Sequence, residues 1–188
     1  DIERMGYPVF YLPVDSTGKV NTATLSEHIA PDTRLVSIMA ANNEIGSIQD
    51  IPALAAIAHS VGAMFHTDAV QAVGHIKIDV NDLGVDMLSA SAHKFHGPKG
   101  IGFLYVRKGT PLAPYASGGS QENHMRAGTE NIASIVGMAA ALKKCVDGLK
   151  DTAEHLTRLE TKLIMGLSDA NVRFSRNGSA AHIPCLLY

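Results

Sequence analysis

The sequence predicts an α/β protein built on a mostly parallel sheet, and three observations carry that reading. Short apolar runs at Leu35–Ala41, Ala63–Asp68, Asp86–Ser91 and Ile101–Val106 alternate with longer, helix-like stretches. The first of these is almost continuously apolar, as expected of a parallel strand buried on both faces. Between the runs stand helix punctuation marks, such as Asp50 and Pro52 at one start and Gly62 at its stop.

Taken in order, Pro8–Val14 reads as extended, and Asp15-Ser16-Thr17-Gly18 turns it. Thr24–Ala30 is predicted as a short helix. The helix capped by Asp50 carries Leu54, Ile57, Ala58 and Val61 along one side. From Asn131 to Leu149 the residues Ile132, Ile135, Val136, Ala139, Leu142, Val146 and Leu149 keep helical spacing, and Gly148 weakens that helix. A second helix follows, with Leu156, Leu159, Leu163 and Leu167 as its apolar stripe. The charges between Lys143 and Lys162 mix both signs and read as a solvated helix surface. Asn171–Phe174 and Ile183–Tyr188 are expected to be strands of a second unit.

At 188 residues and 46% hydrophobic content, the chain can bury a real core. Its net charge of -2 and lack of a basic run argue against nucleic acid or an anionic membrane as partner. No apolar run is long enough to span a bilayer, and the front shows no signal-peptide pattern. Cys145 and Cys185 form no disulfide framework, which points to a reducing compartment. Gly97, Gly100 and Gly102 stand in the wrong order for a dinucleotide fingerprint. The nine histidines include no pair with a carboxylate or cysteine at metal-ligand spacing, so no metal is expected. Because the chain starts without methionine and ends in the apolar run Cys185-Leu186-Leu187-Tyr188, it is expected to be a piece of a longer protein.

Open parallel sheets place their ligands at the carboxyl ends of the strands. Three predicted strands end there in Asn42-Asn43-Glu44, in His66-Thr67-Asp68-Ala69-Val70-Gln71, and in Ser91-Ala92-His93-Lys94. Each residue alone has a plain structural reading: Asn43 or Asp68 as a cap, Gln71 as surface, Lys94 reaching for solvent. Their arrival at one rim favours a single site. A lysine ending a buried strand loses some preference for its charged form, so its pKa is expected to fall. Such an amine can form a Schiff base with an aldehyde. The whole set suits a pyridine-based aldehyde cofactor. Lys94 would anchor it, and Asp68, expected to be buried, would face the ring nitrogen and make the ring an electron sink. Gln71 would meet the ring hydroxyl, with Ser91 and His93 on the phosphate.

The stretches A-N-N-E-I-G (41–46), H-T-D-A-V-Q (66–71), S-A-H-K (91–94), G-P-K-G-I-G (97–102) and G-G-S-Q-E-N-H-M-R-A-G-T-E-N (118–131) together resemble the cysteine desulfurases. These are pyridoxal 5'-phosphate enzymes with the fold-type I, aspartate-aminotransferase architecture. The resemblance covers essentially the whole chain. It implies that residues 1–149 are the C-terminal part of the cofactor-binding large domain, a mostly parallel sheet with helices on both faces. Residues 150–188 would begin the small domain. By position it makes Lys94 the Schiff-base lysine, Asp68 the partner of the pyridine nitrogen, and Gln71 the contact of the ring hydroxyl. Ser91 and His93 fall on the phosphate and Asn43 on the side of the substrate carboxylate. Thr129 falls on the phosphate held in the neighbouring subunit, which implies a homodimer.

The same resemblance implies parts that this sequence lacks. They are an earlier glycine-rich phosphate loop, a histidine stacked on the ring, a later mobile loop with the sulfur-accepting cysteine, and an arginine for the substrate carboxylate. Neither Cys145 nor Cys185 matches that nucleophile, and both read as packing residues. The activity implied is removal of sulfur from L-cysteine to give L-alanine and an enzyme persulfide. The sulfur would pass to an acceptor such as an iron–sulfur scaffold protein, in the cytoplasm or, for a eukaryotic source, the mitochondrion. Alternatives are a selenocysteine lyase or class V aminotransferase of the same fold, or a non-catalytic interaction module.

Overall fold

The computed structural model describes residues 2–184. Strands β1 (Leu35–Met39), β2 (Met64–Asp68), β3 (Met87–Ser91) and β4 (Gly102–Val106) form one sheet in the order β1-β2-β3-β4. The first three are parallel, with Ser37 opposite His66 and Asp68 opposite Ser89. β4 returns antiparallel to β3, with Ser91 opposite Gly102. Among the described residues, five α-helices accompany the sheet: α1 (Thr22–His28), α2 (Ile51–Ser60), α3 (Val80–Leu83), α4 (Ile132–Asp147) and α5 (Leu149–Asp169). Among the described residues, no helix is long and apolar enough to cross a membrane.

Caps explain most boundaries. The Asn21 side chain accepts from Ala23 N, which starts α1 two residues earlier than the apolar pattern suggests. Asp50 accepts from Ala53 N at the head of α2, with Pro52 in its first turn. The short α3 was not foreseen; Asp79 caps it and Gly84, in the left-handed region, ends it.

The core lies between α2 and the inner face of the sheet. Phe65, Leu54, Leu88, Val85 and Ala58 are fully buried there, and α2 packs on β1 and β2. Each large side chain of this kind contributes on the order of 1.5–3 kcal/mol when removed from water. The inner face reads Val36, Ile38, Phe65, Thr67, Leu88 and Ala90. The Thr67 hydroxyl is satisfied by the Ile38 carbonyl at 2.9 Å. The opposite face is more open: Leu35 is 43% and Leu104 49% exposed. The expectation that β1 is buried on both faces therefore fails. Its side chains alternate, and in this chain only Val36 and Ile38 are covered.

Other expectations are corrected too. Pro8–Val14 forms no strand; only an isolated bridge joins Val14 to Val20 across the Asp15 turn. There the Asp15 carboxylate accepts from the Thr17 hydroxyl and from Lys19 and Thr17 N–H, bonds that lower its pKa. Asn171–Phe174 is also not a strand. The expected strand Ile183–Tyr188 lies largely outside the described residues; its first residue, Ile183, is buried and donates its N–H to Gly46 O at 3.0 Å.

The inward face of α4 is Met138, Ala141, Leu142 and Cys145, whereas Ile132 and Val136 are more than half exposed. The stripe expected from helical spacing held Leu142 but also the exposed Ile132 and Val136, and it did not include Met138 or Ala141, which packing turns inward. On α5, Glu160 is not part of a solvated surface. It is 7% exposed and accepts from Arg176 Nη2 at 2.7 Å and His182 Nε2 at 2.9 Å. Two partners drawn from one loop, a guanidinium and an imidazole N–H, make that burial tolerable.

Candidate active site

Two neighbouring strand ends carry most of the site. β2 ends at Asp68, whose main-chain carbonyl takes Ala40 N at 2.7 Å and so ties the end of β1 to it. Asp68 Oδ1 then accepts from Val70 N at 2.9 Å and bends the chain into a turn. That turn is closed by Ala72 and Val73 N–H on Ala69 O, and it places Gln71 beside the strand end. Gln71 is 8% exposed, and among the described residues its amide has no hydrogen-bond partner. No fully enclosed side-chain polar atom lacks a partner there, so this amide opens onto the rim. Asp68 is exposed, contrary to the expectation of burial. It shares the open sheet face with His66, two residues earlier.

β3 ends at Ser91 and passes directly into a 3-10 turn, Ala92–Phe95. Lys94 therefore sits on a turn after the strand and not on the strand itself, and it is half-buried. The chain changes direction sharply here. Ala92 O accepts from Gly97 N at 2.8 Å, His96 adopts φ 65°, and Ala92 N returns to Ile101 O at 3.0 Å. Within the turn the Ser91 hydroxyl and His93 Nδ1 meet at 2.8 Å, so the pair expected from alternation along a strand is brought together by the turn instead. At Gly102 a Cβ would lie 2.4 Å from Ala90 O, which requires glycine where β4 leaves the turn.

The structure thus brings Asp68, Gln71, Ser91, His93 and Lys94 to adjacent ends of β2 and β3. Asn43 stands beyond β1 in a tight loop. Asn42 Oδ1 shapes that loop by accepting from Glu44 and Ile45 N–H at 2.8 and 2.9 Å. Asn43 is exposed at the edge of a cleft of about 770 Å³, across from Leu163, Leu167 and Arg176. Thr129 is exposed in the stretch before α4, and among the described residues no hydrogen bond ties it to the lysine turn.

Cys145 is half-buried on α4, its thiol donating to Phe95 O at 3.4 Å. Burial pushes that thiol's pKa up, with Lys144 opposing the shift. Packing, and not nucleophilicity, is what this setting supports. Cys185 lies outside the described residues.

Two histidines carry contacts to which the sequence assigned no role. His66 Nδ1 meets the Ser37 hydroxyl at 2.8 Å and its Nε2 meets the Ser89 hydroxyl at 3.2 Å, a polar chain across three strands of the open face. Burial lowers the His66 pKa, and the nearby Asp68 carboxylate works against that. The signal was the strand register, which sets Ser37 beside His66. His75 Nε2 lies 2.8 Å from Lys94 O, a contact that needs the lysine turn to be visible first.

The family model for class-V aminotransferases matches residues 1–182. The chain belongs to the class-V aminotransferase family. This family, with the cysteine desulfurases in it, consists of pyridoxal-phosphate enzymes. "Cysteine desulfurase IscS" of Dictyoglomus turgidum is 52% identical over 163 residues, which is 87% of this chain and 41% of that protein. "Cysteine desulfurase" of Klebsiella pneumoniae is 46% identical over 91% of this chain and 44% of its own length. Among solved structures, a "NifS-like protein" superposes with a TM-score of 0.92 and 42% identity, covering 97% of this chain and 50% of that one. Another, described as SspA in complex with cysteine, gives 0.73 and 41% identity over 76% of this chain and 42% of that one. This class-V chain therefore spans about half the length, or less, of the relatives it matches.

Proposed function

We propose that this chain supplies the cofactor-anchoring part of a cysteine desulfurase, which takes sulfur from L-cysteine and leaves L-alanine. The observation that carries the proposal is the convergence of Lys94, Asp68, Gln71, Ser91 and His93 on two adjacent strand ends. The residues present fit pyridoxal 5'-phosphate. Lys94 offers an amine for its aldehyde, Asp68 keeps Oδ2 free of the turn that Oδ1 closes, Gln71 presents an amide open to the rim, and Ser91 with His93 offers donors for phosphate. Bound there, the cofactor would supply an electron sink beside the substrate's amino group.

In this reading the protein's own groups divide the work. Lys94 Nζ would hold the cofactor's aldehyde end and would stay close enough to take or return a proton at the substrate. Asp68 would accept a hydrogen bond from the protonated ring nitrogen and so keep that proton on the ring, which leaves the ring electron-poor. Ser91 and His93 would hold the phosphate end and Gln71 the ring oxygen, which limits how the cofactor can turn in the site. Asn43 orients the carboxylate side of the substrate. The thiolate that attacks the substrate sulfur is not Cys145, whose proton is held on a backbone carbonyl. It comes from the remainder of the full-length protein. The full-length protein would be a homodimer, with Thr129 reaching the partner's phosphate, and would pass sulfur to an iron–sulfur scaffold in a reducing compartment.

Borohydride reduction of the full-length protein with pyridoxal phosphate, followed by peptide mapping, tests the anchor. The adduct is expected on Lys94 and should vanish in Lys94→Ala. An adduct on Lys99 would overturn the assignment.

A further inference from the structure

We propose that His75 is a positioning residue for Lys94, holding the lysine turn to the turn that carries Asp68 and Gln71. The proposal rests on the reading of Lys94 as the cofactor's anchor. A four-residue 3-10 turn has few bonds of its own. Here Ala92 O is used within the turn, by His96 and Gly97 N–H. The next two carbonyls that matter are closed by side chains from other elements. Lys94 O takes His75 Nε2–H at 2.8 Å, and Phe95 O takes the Cys145 thiol at 3.4 Å. Half-buried backbone carbonyls need such partners.

His75 is itself fixed relative to Asp68. The backbone runs from Asp68 through the closed turn at Ala69, and Ala72 O then accepts from His75 and Ile76 N–H, both at 3.0 Å. One side chain therefore joins the peptide of the amine to the turn that carries the carboxylate and the amide. With that peptide held, only the rotamers of Lys94 remain to place Nζ.

The close approach is built into the neighbouring residue. Gly74 has φ +84°, and a Cβ there would stand 2.6 Å from Phe95 Cβ and 3.4 Å from Cys145 Cβ. Any other residue would push the His75 turn off the lysine turn. Donation to a carbonyl needs hydrogen on Nε2, which both the Nε2–H neutral tautomer and the imidazolium provide. The brace therefore holds whichever of these two forms His75 takes.

The test uses the full-length protein loaded with pyridoxal phosphate. It reads the rate of cofactor loss to buffer and the share trapped on Lys94 by borohydride, with urea midpoints of the apoproteins as a control for folding. His75→Phe keeps a ring and loses the donor; it should release cofactor about fivefold faster, the worth of one ordinary hydrogen bond. His75→Gln keeps an N–H donor and should stay within about twofold of wild type. If His75→Phe does not fold, His75→Ala is compared with and without added imidazole, and imidazole should slow the loss. Wild-type retention in His75→Phe, or no effect of imidazole on His75→Ala, would overturn the proposal. Failure of the underlying reading looks different: Lys94→Ala would still yield a borohydride-trapped adduct.

Discussion

At Glu122, Asn123 and His124 three successive side-chain-bearing residues hold φ of 49°, 54° and 67°. A left-handed backbone crowds Cβ against the following carbonyl, and asparagine tolerates this better than glutamate. Glu122→Gly should therefore raise stability by about 0.5–1 kcal/mol, and Asn123→Gly by less, because glycine's greater freedom in the unfolded chain offsets part of the relief. Urea midpoints of the two variants would give that ranking; equal or opposite shifts would show that the loop is not strained. At this same scale the sequence was most informative about residues whose place follows from strand ends. Asp68, Gln71, Ser91 and Lys94 could be put on one rim because apolar runs end there. His75 could not, since its meaning depends on a turn that no periodicity announces. The burial expected for Asp68 failed for a similar reason, because which sheet face is covered is decided by elements elsewhere in the chain.

Between elements, polar contacts set measurable couplings. His66 joins β1, β2 and β3 through Ser37 and Ser89, and burial holds its pKa below the ordinary value of 6.5. The folded chain then binds this proton less readily than the unfolded chain does. The neutral ring costs nothing above pH 6.5, and stability is lost as pH falls from there through the lowered folded value. Between pH 7 and 5, wild type should lose more stability than His66→Gln, as read by urea unfolding at each pH. An equal loss in both would show that the imidazole is solvated. The Glu160 cluster joins α5 to the segment 176–182. Glu160→Ala leaves the Arg176 and His182 partners behind and should cost roughly 2–3 kcal/mol, less than a fully buried pair because the Arg176 side chain is 38% exposed. A thermal shift near zero would place the cluster in water. Strand direction shows where sequence was underused. Ile101–Val106 has nothing in its composition to mark it antiparallel. Yet only residues 92–101 separate β4 from β3, a tight turn with a Gly/Pro stretch and less chain than the crossover a parallel partner needs.

For the whole molecule, the matched relatives are about twice as long as this chain, and in the proposed reading the rest of such a protein would complete the site. If Thr129 serves the partner's phosphate, mixing full-length Lys94→Ala and Thr129→Ala chains should restore activity in the heterodimers, where one of the two sites is intact in every residue. Verified heterodimers with no activity would mean that each subunit completes its own site. The α/β class and the mostly parallel sheet were legible because a period-2 or continuous apolar run differs clearly from a helical one. The segment after α5 was not, because Asn171–Phe174 alternates polar and apolar residues like a strand but has no pairing partner among the described residues.

The antiparallel return of β4 has a mechanical consequence. In a strand-to-helix crossover, a terminal loop can swing away while the sheet stays whole. Here the lysine turn is the tip of a two-stranded ribbon, with Ser91 and Gly102 as its first rung. Lifting that tip means breaking rungs in sequence from the Ser91 end, Ala90 with Phe103 next and Ser89 with Leu104 after it. The backbone under the proposed anchor can lift away only as a zipper opens, one tooth at a time.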